Sequence, residues 1–286
     1  MRTAESTPAL TWTNAKRLSV RELETDLAQP GTRDVFSKDE LVGLPVPVQR
    51  YFRTAIAPGT PLALAARLEM QGSIKLAGRW LPFRATEVLA PHRGFIWSAS
   101  VAGGLFVGSD QYAAGLGAMR WKFLGLIPVV QAEGPDVSHS SAARAGAEAV
   151  WVPTALLPRY GVIWTAEDDT HLTARYTVDN TPLVVNYELD EEARIVSAQI
   201  ERWGDPNNTG AWGLHPFGFE ATARAAFDGV SVPSQGRVGW FPRTSSGPAA
   251  SSSASRSPSF AWSRHEGQEA VDVLAGPARR DPRRVA

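Results

Sequence analysis

The spacing of apolar positions changes character several times along the chain. From Ser37 it is helical: Ser37 and Glu40 have capping-box spacing, and Pro45 and Pro47 interrupt. VQRYFRTAI then places Val48, Phe52 and Ala55 or Ile56 on one face, with Arg50 and Arg53 pointing elsewhere. This predicts a helical cap over one end of a sheet. From Leu62 the period becomes two. Leu64, Ala66, Leu68 and Met70 alternate with Ala65, Arg67, Glu69 and Gln71, and WLPFRATEV and FIWSAS follow as further strands, the last turning Phe95, Trp97 and Ala99 one way. Pro82 marks an edge or bulged position. One-sided alternation of this kind belongs to an antiparallel sheet with one face against a core or cavity.

The glycine-rich stretch VAGGLFVGSDQYAAGLGAM permits tight bends or close backbone approach, and WKFLGLIPVV reads as a buried strand or a loop closing over the sheet. An alanine-rich helix follows, capped by Ser138, Ser140 or Ser141 and bent or ended near Val152 by Pro153. A second meander comes next: LTARYTV, LVVNYEL and RIVSAQIERW, each alternating and joined by short polar turns. FEATARAAF and RVGWFP read as further strands. The predicted class is mainly β (α+β): a large curved antiparallel sheet or half-barrel around a central short helix, with an N-terminal helical cap.

The domain division expected is a poorly defined segment over 1–36, one β-rich domain over 37–242 with helices near 38–57 and 139–152, and a disordered tail over 243–286. Within the first segment, KRLSVRELETDL has enough helical character for two turns without being obliged to form them. The tail is expected because TSSGPAASSSASRSPS is low-complexity, and its basic ARRDPRRVA end reads as solvated.

Composition narrows the function. Lysine plus arginine and aspartate plus glutamate each number 29, so no global field recruits nucleic acid or an anionic membrane. Cysteine is absent, which removes disulfides, thiolate catalysis and cysteine-ligated metals, and fits a reducing compartment. No signal-peptide-like run opens the chain and no apolar stretch is long enough to span a bilayer, so a cytoplasmic location is expected. The histidines, at 92, 139, 171, 215 and 265, never stand at HxxH spacing; Asp168, Asp169 and His171 sit on a turn and read as solvated. Neither metal nor cofactor is expected. Phosphate-loop and serine-hydrolase signatures are missing.

Ten tryptophans, mostly in strand-like or helix-like segments, suit either dense packing or a lined cavity. Glu148, one turn before Trp151 in an apolar setting, is the leading candidate site residue. A buried carboxylate there needs a partner or a raised pKa, and the bland reading pairs it with Arg202, Arg84 or Arg50. Asp110 and Tyr112 are placed at the mouth, and Trp97, Arg84 and Arg202 complete the candidate ligand-binding set. The leading expectation is an apolar or lipid-like small molecule bound on the concave face of the sheet. The alternatives are an enzyme of undefined chemistry using Glu148 and Asp110 with an arginine, and a structural or interaction protein with a filled core.

The motifs LPVPVQRYFRTAI, WLPFRA, GFIWSA, DQYAAGLG, FLGLIPVV, EAVWVPTALLP and VPSQGRVGW, in this order, resemble an uncharacterised bacterial and archaeal family of unknown function over roughly residues 40–240. The resemblance implies a half-barrel-like sheet wrapped around a helix, similar to lipoprotein carriers that hold acyl chains. After Trp240 the chain departs from the family pattern, which continues with a further hairpin. A lost last strand would leave its neighbour as an open edge.

Overall fold

The computed structural model describes residues 19–28, 34–76, 78–207 and 209–240, together with the backbone of 259–262 and 271–273. Most of the expected tail over 243–286, and the first 18 residues, lie outside the described residues.

Two antiparallel meanders of six strands make up the fold. The first is β1 (Ala66–Leu76), β2 (Arg79–Ala90), β3 (Gly94–Val101), β4 (Phe106–Ala113), β5 (Leu116–Phe123) and β6 (Ile127–Glu133). The second is β7 (Ile163–Ala166), β8 (His171–Val178), β9 (Thr181–Leu189), β10 (Ile195–Gly204), β11 (Gly213–Phe227) and β12 (Val230–Trp240). The short β13 (Ser259–Trp262) pairs with both β1 and β12, and β14 (Val271–Val273) also pairs with β1. The edge that the sequence reading leaves open beyond β12 is therefore paired.

The strand order runs from β6 at one edge to β7 at the other, and those edges do not pair with each other. The sheets are open. This corrects the expectation of a curved half-barrel. Period-two alternation reports that one face of a sheet is buried, but not whether curling or a second layer buries it. Here α3 lies against strands of both meanders and shares the covering.

Between the meanders in sequence lies α3 (Pro135–Ala147), reached after α1 (Val20–Leu27) and α2 (Val46–Ala55). It touches β3, β4, β5 and β6 of the first sheet and β8, β9 and β10 of the second. It begins three residues before the expected serine caps because Pro135 occupies its first turn, where a missing N–H costs nothing, with Asp136 beside it at the positive end of the helix. Three short 3-10 turns then carry the chain from Glu148 to Tyr160. Small side chains let α3 approach the strands closely. A Cβ on Gly117 of β5 would stand 2.7 Å from the Ser138 backbone, so glycine is required where helix meets strand.

The expected cap is present as a 3-10 turn (Lys38–Leu41), capped by Ser37, followed by α2. Val48, Tyr51, Phe52 and Ala55 of α2 are buried, and Phe52 meets Trp164 edge-on at 5.5 Å. Arg50 and Arg53 do point elsewhere; Arg50 donates to the Glu191 carbonyl. The earlier α1 forms because Ser19 and Glu22 complete a reciprocal capping box. Its Leu23 and Leu27 cover Val88, Ile96 and Ala113 on the outer face of the first sheet. No helix among the described residues is long and apolar enough to cross a membrane.

Candidate functional site

Strand register creates the site. Glu87 of β2 stands directly opposite Trp97 of β3, and Trp97 opposite Asp110 of β4. Alternation sends Phe83, Ala85, Glu87 and Leu89 of β2 inward together, so one rung of the inner face reads carboxyl, indole, carboxyl. Above this rung lies Arg144 of α3. Its Nε donates to Glu148 Oε1 at 2.8 Å, its Nη1 to Asp110 Oδ2 at 3.2 Å, and its Nη2 lies 3.8 Å from Glu87 Oε1. The guanidinium carbon sits 4.4 Å from the Phe95 ring centre and 5.4 Å from that of Trp97, a cation–π arrangement with much of the water removed.

A second cation closes the cluster. Arg202 Nε donates to the Ser140 carbonyl at 3.0 Å, one helical turn before Arg144, and its guanidinium stacks over Phe217 and Trp240. Trp121 Nε1 donates to the other oxygen of Asp110 at 2.9 Å.

Charge and burial shift the proton affinity of the cluster. Burial raises the Glu87 carboxyl well above the usual carboxylate range, and the Glu148 charge raises it further, outweighing Arg144. Asp110 is also raised by burial, against the pull of Arg144 and Trp121. Arg144 rises because the charges of Glu148, Glu87 and Asp110 together outweigh its burial. Burial and the neighbouring Arg144 push Arg202 down to about 9, which leaves it protonated at neutral pH. Two arginines thus share the cluster with three carboxyl groups. Two buried oxygens, Glu87 Oε1 and Glu148 Oε2, have no hydrogen-bond donor. Chemically the arrangement can store a proton between two carboxyl groups and tie a helix to a sheet.

Of the expected site residues, Glu148, Asp110, Trp97 and Arg202 converge on this centre. The others are elsewhere. Trp151 donates its indole N–H to the Pro233 carbonyl and packs on Phe219. Tyr112 donates to Asp179, a turn of the second sheet. Arg84 is on the outer face of the first sheet, in an open groove of about 780 Å³ with Glu69, Thr86, Ser98 and Ser100. The partner of Glu148 is Arg144, one turn back in α3, rather than a strand arginine. Arg144, Glu87 and Trp121 were not anticipated, although Arg144 and Glu148 have the i,i+4 spacing that brings side chains together on a helix.

Tryptophans do not all turn inward. Trp97, Trp151 and Trp164 are buried, whereas Trp80 and Trp212 are exposed. Beside Trp151 and Phe219 the remaining space is only about 10 Å³, room for one water at most. Asp168 accepts from Thr170 and His171 on an exposed turn, and no group of metal-ligating side chains occurs among the described residues.

Comparison with known proteins agrees with the family-level reading. The family model described as "Family of unknown function (DUF6544)" matches residues 34–248, and the chain belongs to that family. No curated protein matches. Among solved structures, a DUF1329 family protein from Desulfovibrio piger is similar at 10% identity, covering 62% of this chain and 78% of that one, with a TM-score of 0.35. A likeness that slight carries no argument, and it lends no support to the resemblance to lipoprotein carriers.

Proposed function

We propose that this chain is a structural or interaction protein with a filled core, in which the Arg144 cluster locks α3 to the first sheet. The observation that carries this reading is the occupancy of Arg144 itself. Its polar edge faces Glu87, Asp110 and Glu148 and its flat face covers Phe95, so the place where a ligand head group would be held is already taken by protein. The opposite face of the helix is equally full. Gly146 is 200° around the helix from Arg144, and Leu183, Val178 and Tyr176 close on it. This replaces the expectation of an apolar ligand on a concave sheet face.

Native mass spectrometry of the protein purified from its host tests the reading. The expected result is the mass of the bare polypeptide, under gentle conditions that preserve a known noncovalent complex run alongside. A retained small molecule, released only on unfolding, would overturn it.

A further inference from the structure

One end of the first sheet carries an exposed apolar surface that the core reading does not use. Antiparallel alternation brings three hairpin tips to that end: the β1–β2 tip with Leu76 and Arg79 at its strand ends, 101–106 between β3 and β4, and 123–127 between β5 and β6. The last two tips touch, since Leu124 N donates to the Leu105 carbonyl and Phe106 packs on Phe123. Large side chains at these tips face water: Leu126 is 79% exposed, Ile127 59%, Leu124 58% and Trp80 48%. Scattered apolar residues on a surface are ordinary, but Leu124, Leu126 and Ile127 crowd one tip that touches its neighbour at Leu105, and such a cluster calls for a partner.

The charge pattern selects that partner. Segments 73–82, 100–107 and 121–130 contain no aspartate or glutamate, and they contain Lys75, Arg79 and Lys122. Lys75 lies over the Trp80 ring. A tip that combines protruding aliphatic side chains, an indole and flanking cations matches the interface of an anionic bilayer, where aliphatic groups enter the acyl boundary and lysine or arginine meets the head groups. The overall charge balance of the chain does not oppose this, because attraction at a membrane surface is local to about a Debye length.

We propose that the hairpin tips at this end of the first sheet dock the protein peripherally on an anionic lipid surface, with Leu124, Leu126 and Ile127 inserted and Lys75, Arg79 and Lys122 on the head groups.

The test is flotation of the full-length chain with vesicles of phosphatidylcholine alone or of phosphatidylcholine and phosphatidylglycerol in equal parts. Binding is expected to the mixed vesicles only, to weaken in high salt, and to be lost in the Leu124→Ser/Leu126→Ser variant. Lys122→Gln is expected to lower partitioning about fivefold. Thermal unfolding of each variant should match the parent, since the substituted side chains are exposed. Three results would overturn the proposal: no flotation of the parent chain, undiminished flotation of the double serine variant, or a dimer of the parent in scattering measurements that the double variant disperses. The last would assign the surface to a second copy.

Discussion

Arg144 in the last turn of α3 is joined to Glu148, the residue that caps it, Nε to Oε1 at 2.8 Å, yet the pair is spent on the sheet beneath. The i,i+4 bond fixes the guanidinium so that its remaining edge reaches Asp110 and its face lies on Phe95. An exposed pair of this spacing stabilises a helix by only about 0.3–0.5 kcal/mol. Buried, the pair holds a layer contact in place.

Removing the cation should therefore cost far more than a surface bridge. Arg144→Met is expected to destabilise the fold by about 3–5 kcal/mol, because Asp110 and Glu148 are left buried without it. Combining it with Asp110→Asn and Glu148→Gln should recover much of the loss. Urea unfolding of the single and combined variants measures both.

Glu87 gives the cluster a pH signature. Its carboxyl is raised above the ordinary value of 4.5 by burial first and by Glu148 second, with Arg144 and Asp110 as the other charges facing it. The folded state therefore holds a proton that the unfolded chain has released. The stability tied to that proton is complete below about pH 4.5 and is lost as pH rises through the higher folded value. Glu87→Gln cannot lose the proton. Its stability relative to the parent should rise steadily as pH increases from about 4.5, and a difference independent of pH would refute the assignment.

Gly146 tests the other side of the helix. A methyl group there meets Leu183 and Val178, and it would also disturb the hydrogen bond from the Tyr176 hydroxyl to the Gly146 carbonyl at 2.7 Å. Gly146→Ala, which elsewhere favours a helix, should here cost about 1–3 kcal/mol in denaturant unfolding.

Arg202 is held by carbonyl and rings rather than by a paired carboxylate. Arg202→Met keeps the stacking bulk and removes one buried cation, so it should cost less than Arg144→Met. The two unfolding midpoints, compared in one buffer, check the ranking.

Much of the architecture was legible in the chain. Alternation such as Leu172, Ala174, Tyr176 and Val178 located the strands, and the alanine-rich segment located α3. What covers that face was not legible, because Leu68 or Ala174 alternates in the same way under a helix as inside a curl. Of the cluster, Glu148, Asp110, Trp97 and Arg202 were visible as polar or aromatic residues in apolar surroundings. Arg144 was hidden among alanines, though its distance of four from Glu148 was there to be read. Glu87 could be found only by carrying the inward phase of Phe83 and Ala85 one step further along β2. Its place on one rung with Trp97 and Asp110 depends on strand register, which local spacing does not specify. The apolar run WKFLGLIPVV suits a buried strand or a closing loop, but it forms the end of β5, a turn and an exposed edge strand, with its apolar side chains at the surface.

The claim that the interior is closed, with Glu87 sealed against water beneath Arg144, is tested most directly by the carbon-13 shift of the Glu87 carboxyl followed against pH. A filled, dry cluster predicts that this carbon titrates at a pH well above the ordinary glutamate value. Titration at the ordinary glutamate value would mean that water reaches the cluster, and would contradict the account.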